Sequence, residues 1–407
     1  MNKVLNLVFD EWSNNKPLPN FTRLNTKSVK KFELSKILLE NDNIDVNLCK
    51  LEDVNQLANY YYVIKHLVSY NHFIDNPNLG LSNSVLDCIK YKGLKIIFLN
   101  ENESYNNIAK IISKIEFFIK LNNLNANNFY LLNNNSSLHT IKSTINLFKT
   151  EFLLETLVGE AYSNFNSIKL DKKFIFLLHI KHPRFHRLDL LTLLDVNGLL
   201  DFNIIDWSFA FKNDTNFDDT IQTNDFLINE FKQTSLLDLS EENLNNSFKK
   251  VCVCRKSSYY EPNNNFRISA LDSYGKESMK SYEESYINIV TETNFNEKHI
   301  HITEKSFKPF YLHQLPIFLA NQNHIKTLKK EYGLDVFDDL IDHSYDDEVD
   351  NLKRLYMVYN EIKRLSEIKD DIKQYYSDNI DRIKKNRQII KEAWLSNKTT
   401  NYFLNLI

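Results

Sequence analysis

Short apolar runs alternate with stretches of helical spacing along the whole chain. Val4–Phe9, Ile44–Cys49, Leu94–Leu99 and Phe129–Leu132 are runs of strand length. Between them, Phe32–Leu39, Val54–Val68, Ser84–Tyr91, Ile108–Leu121 and Ile141–Phe148 place apolar residues three and four apart, which predicts helices. Ser28 is a candidate N-cap and Gly93 a candidate C-cap. Glu151–Val158 fits either element. Strand–helix alternation of this kind predicts an α/β layer sandwich, Rossmann-like, over residues 1–165.

The second half repeats the grammar. Lys173–Leu178 predicts a strand, Leu188–Leu194 a helix stopped by Asn197-Gly198, and Phe202–Trp207 another strand. Residues 211–250 are acidic and Asn-rich, an insertion with one amphipathic helix near Asp225–Phe231. Val251–Cys254 reads as a strand, and residues 255–283 are polar. The pattern then sharpens into strand Tyr286–Val290, a short strand Ile300–Ile302, a helix capped by Thr303, strand Pro316–Leu319 and helix Asn323–Glu331. Pro309 lies inside the Thr303 helix and predicts a kink or a short first turn. Residues 347–395 are helical in spacing almost throughout, without a sustained heptad.

Composition narrows the class. At 407 residues two domains are expected. The net charge of −3 shows no overall basic excess of the kind a strongly electrostatic nucleic-acid binder carries. Only 6 glycines are present, so Asn stands in at turns. Four scattered cysteines exclude a disulfide framework, and Cys252 and Cys254 read as buried thiols rather than zinc ligands. The first residues are too short an apolar run for a signal peptide, and no stretch approaches a membrane span. A cytoplasmic location is the expectation.

Candidate chemistry gathers where strands meet helices. There is no G-x-G-x-x-G and no P-loop. Thr303, Glu304 and Lys305 open a helix, whose N–H groups and partial positive charge suit a diphosphate. Lys305 adds a full charge, Glu304 two acceptor oxygens for a ribose, and Lys308 lies one turn on. A capped surface helix with a Glu304–Lys308 pair explains the same residues. Arg184 and Arg187 form a second basic strand–helix junction, equally readable as a solvated turn. His179, His182 and His186 do not have metal-site spacing. Asp10 and Glu11, past the carboxyl end of the first strand, are candidate general bases or plain loop carboxylates. Tyr259, Tyr260 and Tyr274 are candidates for stacking on a nucleobase.

The order VTET, TEKSFKP, then LPIFLANQNHIKTLKKEYGLDVFDDLIDHSYDD resembles the donor half of a GT-B glycosyltransferase. It is similar to mostly phage-encoded glycosyltransferase sequences and to the Thr-Glu-Lys segment of α1,3-fucosyltransferases. The likeness is clearest over about 80 residues, which is the share of the chain that carries the motifs. It implies a GT-B fold of two Rossmann-like domains facing a cleft, with C-terminal helices. The boundaries that follow are 1–165 for an acceptor-side domain, 166–375 for the donor domain, and 376–407 for a helix packing back on the first. It also implies that Glu304 contacts ribose, that Lys305, Arg187 and Arg184 reach the phosphates, and that Glu292 and Thr303 belong to the donor site. Ile341–Asp346 resembles the family's Asp-x-Ser-Tyr-Asp loop, with a packing role. Related sequences carry a Gly-containing loop where this chain has Ala320-Asn321-Gln322-Asn323.

The expected reaction is transfer of a sugar from a nucleotide-diphosphate sugar to an acceptor hydroxyl, on a modified DNA base, a glycan or a protein. The resemblance implies that no metal or other cofactor is called for, as GT-B-like enzymes generally need no bound metal; Lys305, Arg187 and the Thr303 helix end would stabilise the leaving diphosphate. Asp10 or Glu11 would deprotonate the acceptor if the reaction inverts. A non-catalytic nucleotide-binding scaffold and a sugar-phosphate epimerase-like enzyme are the alternatives.

Overall fold

The computed structural model describes residues 3–9, 21–23, 44–66, 79, 81–100, 108–133, 138, 141–149, 168–180, 184–201, 204–209, 242–243, 246–247, 276–296, 300 and 302–395. Two compact units divide the chain. One comprises Met1–Thr156, Lys298–Ile302 and Ala393–Ile407, the other Leu157–Glu297 and Thr303–Glu392.

The first unit is built on one sheet. Its described elements are β1 (Lys3–Phe9), β2 (Phe21–Arg23), β3 (Ile44–Lys50), β4 (Tyr60–His66), α1 (Asn83–Lys92), β5 (Lys95–Asn100), α2 (Ile108–Leu121), β6 (Phe129–Asn133) and β7 (Asn146–Lys149). The strand order is β3-β1-β4-β5-β6-β7, all parallel, with β2 antiparallel on β4. Alternate strand residues Tyr62, Ile64, Ile96, Phe98, Phe129 and Leu131 point to one face. There they meet Val85, Cys88 and Ile89 of α1 and the Ile111, Ile115 and Phe118 stripe of α2. Ser82 caps α1 through its side chain, and Gly93 ends it in the left-handed region at φ +72.

Two segments of this unit differ from the sequence reading. Residues 54–66 do not form a helix; β4 occupies Tyr60–His66. Tyr61, Tyr62, Val63 and Ile64 are all buried, so both faces of the strand are covered and the alternation that marks a strand is lost. Residues 141–148 are not helical either. Ile141, Ile145 and Phe148 have helical spacing, but the Glu116 carboxylate captures the backbone N–H of Thr144 (2.7 Å) and the hydroxyls of Ser143 (2.8 Å) and Thr144 (3.0 Å). That loop then feeds β7.

The second unit holds a four-stranded, wholly parallel sheet. Its described elements are β8 (Phe174–Ile180), α3 (Phe185–Val196), β9 (Ile205–Phe209), α4 (Lys276–Glu283), β10 (Ser285–Thr291), α5 (Glu304–Tyr311), β11 (Leu315–Leu319), α6 (His324–Tyr332), α7 (Asn351–Glu367), α8 (Lys369–Asp378) and α9 (Ile380–Leu395). The strand order is β11-β10-β8-β9. β10 and β11 are buried at every position, so both faces of each are covered even though β11 is an edge strand. Ile300 and Ile302 are not in a strand, and residues 276–283 of the polar stretch are helical.

Both sheets are parallel apart from β2, and α1, α2, α3 and α5 join β4 to β5, β5 to β6, β8 to β9 and β10 to β11. The molecule is α/β with two Rossmann-like sheets. Among the described residues, no helix is long and apolar enough to cross a membrane.

Candidate functional site

In open parallel sheets, ligands are held beyond the carboxyl ends of the strands. In the second unit that end gathers Thr291, Glu292 and Thr293 after β10, the Arg184–Arg187 turn after β8, the start of α5, and the β11–α6 junction.

Thr303 is the N-cap of α5, as the sequence predicts, and its hydroxyl accepts from the backbone N–H of Lys305 at 3.2 Å. The same hydroxyl donates to the carboxylate of Glu292 at 2.8–2.9 Å. Glu292 also accepts from the N–H groups of Thr293 (3.1 Å) and Thr303 (3.2 Å) and from the hydroxyl of Ser306 (2.5 Å). It is completely buried. The carboxylate therefore occupies the helix end from within, and the backbone N–H groups of Thr303 and Lys305 already have acceptors.

Ser306 has one proton, committed to Glu292. Its oxygen must then accept from His324, whose Nε2 lies 2.8 Å away. This places the His324 proton on Nε2 and leaves Nδ1 a buried, unmatched acceptor. Burial lowers the His324 pKa, against the pull of Glu292 and Asp346, consistent with the neutral ring.

Lys305 reaches outward from this buried knot. Its ammonium lies 3.3 Å from the hydroxyls of both Thr293 and Thr303 and 3.5 Å from the Glu304 carboxylate. About a third of its side chain is exposed (32%), and 22% of Glu304. Burial alone would raise the Glu304 pKa. Lys305 and Lys308 outweigh that and hold it below the ordinary carboxylate value, against repulsion from Glu292. Lys308 is buried.

Arg187 lies in the first turn of α3 and is turned into the protein. Its guanidinium donates to the backbone carbonyls of Thr291 (2.9 Å) and Glu292 (3.0 Å). Burial, then the nearby Arg184, lower its pKa to about 10, while Glu292 and Glu304 oppose the shift, so it stays charged at neutral pH. His186 donates from Nε2 to the Glu292 carbonyl at 3.0 Å and stacks on Phe295. Burial and Arg187 push its pKa down to about 3. Arg184 is half-buried at the N-cap position of α3, without a side-chain cap.

The β11–α6 junction turns without glycine. Asn323 supplies the left-handed residue itself, at φ +62. Asp346 fills the N-terminus of α6, accepting from the N–H groups of Ile325 and Lys326, each at 3.0 Å. Tyr345 accepts from the N–H of Phe318 at 3.2 Å, so the 341–346 loop packs on the strand ends. Arg354 of α7 ties the site's floor together, donating to the carbonyls of Ala320 (3.0 Å), Phe295 (2.8 Å) and Glu348 (2.7 Å).

The second unit thus brings together Arg184, Arg187, Glu292, Thr303, Glu304, Lys305 and Lys308. Asp10 and Glu11 lie outside the described residues, as do Cys252, Cys254, Tyr259, Tyr260 and Tyr274. Among the described residues, no group of three His, Cys, Asp or Glu is placed to hold a metal ion. Sequence reasoning missed Ser306, His324 and Arg354. Ser306 falls at the third helical position, where capping boxes place a reaching side chain; nothing local marks the other two.

Comparison with protein-family models, with curated proteins and with solved structures finds no match to this chain.

Proposed function

We propose that the protein is a glycosyltransferase of GT-B type, which uses a nucleotide-diphosphate sugar and needs no bound metal. The observation that carries this reading is Lys305. Its ammonium is presented at the carboxyl end of a parallel sheet, oriented by two threonine hydroxyls on a helix start whose own polarity is already balanced. Arg184, Arg187, Lys305 and Lys308 outnumber Glu292, Glu304 and Asp346 there, which favours an anionic group such as a diphosphate. In the transferase reading, Lys305 stabilises charge developing on the leaving diphosphate. The acceptor is a hydroxyl on a modified DNA base, a glycan or a protein. Asp10 or Glu11 serves as the base if configuration inverts.

The test is a thermal-shift panel of UDP-, GDP-, ADP- and CMP-linked sugars on wild type and Lys305→Ala. One donor should raise the wild-type Tm by several degrees, and the shift should be lost in the variant. No shift with any donor, or the same shift in both proteins, sinks the reading. Hydrolysis of the stabilising donor then distinguishes an enzyme from a nucleotide-binding scaffold.

A further inference from the structure

A second polar cluster of this unit is built on His179, Asp206 and Tyr282. His179 stands near the end of β8, opposite Ser208 of β9 in the parallel register. Asp206 precedes Ser208 by two residues, so it shares the face of the sheet on which His179 stands, and it is completely buried. Tyr282 of α4 sets its ring edge-on to the imidazole, with centroids 5.7 Å apart at 81°. From α5, Lys308 acts on His179 and Glu304 on Tyr282. Groups from four elements therefore converge, one helical turn from Lys305.

The Nε2 of His179 is buried and makes no hydrogen bond. Buried ring nitrogens are normally paired, and an exception calls for a cause. Burial keeps the ring neutral, its pKa lowered to about 4 although Asp206 pulls it upward. A neutral imidazole, a phenol and a buried carboxylate supply both donors and acceptors, the set that recognises hydroxyl groups. A phosphate is disfavoured beside the fully buried carboxylate of Asp206.

We propose that His179, Asp206 and Tyr282 form the subsite for the sugar of the nucleotide sugar, with His179 Nε2 taking one of its hydroxyls. This rests on the reading of Lys305 as the diphosphate residue.

Calorimetric titration of UDP against UDP-glucose, of ADP against ADP-glucose, and of GDP against GDP-mannose and GDP-fucose, separates the two ideas. In the wild type, one sugar-linked form should bind at least about tenfold more tightly than its nucleoside diphosphate. His179→Phe and Asp206→Asn should erase that increment and leave the nucleoside diphosphate within about twofold, whereas Lys305→Ala should weaken both forms. If none of UDP, GDP and ADP binds the wild type, the diphosphate reading fails and the subsite with it. If they bind but no sugar adds affinity, or the increment survives in His179→Phe, the subsite alone is overturned. Should His179→Phe lose the nucleoside diphosphate as well, Tyr282→Phe decides. An increment kept whole there overturns the assignment, and one lost with diphosphate binding intact supports it.

Discussion

Ser306 shows how much one hydroxyl can hold. It links the carboxylate of Glu292 to the imidazole of His324, and through Glu292 it fixes Thr303 and the root of Lys305. Ser306→Ala removes a hydrogen bond to a charged group and leaves a buried ring N–H unmatched. The expected loss is ~2–3 kcal/mol in urea unfolding. Lys305→Ala, by contrast, removes a partly exposed ammonium and should cost under ~1 kcal/mol of stability while weakening diphosphate binding. Thr303 as a cap was legible because a cap is a local signal. The orientations of Arg187 and Glu292 were not. Arg187 meets carbonyls 104 and 105 residues away, and residue type alone cannot tell a ligand-facing guanidinium from one that pins a strand end.

At the scale of elements, strands and helices with clear ends were readable: α1 between Ser82 and Gly93, α2 with its isoleucine stripe, and the run from β10 to α6. β4 and β7 were not, one because both faces are buried and the other because Glu116 captures the preceding loop. The turn into α6 makes a sharp test of the glycine question. Asn323 already sits at φ +62, so Asn323→Gly should change stability by less than ~0.5 kcal/mol, whereas Asn323→Val should cost ~1–2 kcal/mol by thermal unfolding. Asp346→Ala removes both acceptors from the same helix start and should cost ~1–2 kcal/mol.

For the whole molecule, the informative residue lies at the other end of the second sheet. Lys172 is buried among Tyr286 and Tyr376, with its ammonium on the carbonyls of Ser285 (3.0 Å) and His313 (3.3 Å). Burial lowers its pKa to about 7, although Glu283 and Glu284 pull it upward. In the unfolded chain the group keeps its proton to about pH 10.4. Between those values the unfolded state binds more protons, so stability rises with pH, by up to roughly 4 kcal/mol across the window. Below about pH 7 both states are charged and the slope vanishes. Lys172→Met should be more stable than wild type at pH 7, because Gln314 and Tyr376 still donate to the two carbonyls. That advantage should shrink towards pH 10 in paired urea titrations. A constant gap would mean that the rings and carbonyls keep the ammonium charged.

The all-parallel order of the second sheet also governs when its site can exist. No two of its strands are joined by a hairpin, and His186 precedes the Glu292 carbonyl it binds by 106 residues. At roughly 5–20 residues per second, a ribosome takes on the order of 5–20 s to cover that distance. Throughout that interval the leucines of α3, buried in the folded unit, also lack α7, the helix that packs against α3. The growing chain must shield them by other means, and slowing translation across 210–285 should increase the share of nascent protein that a chaperone retains or that aggregates.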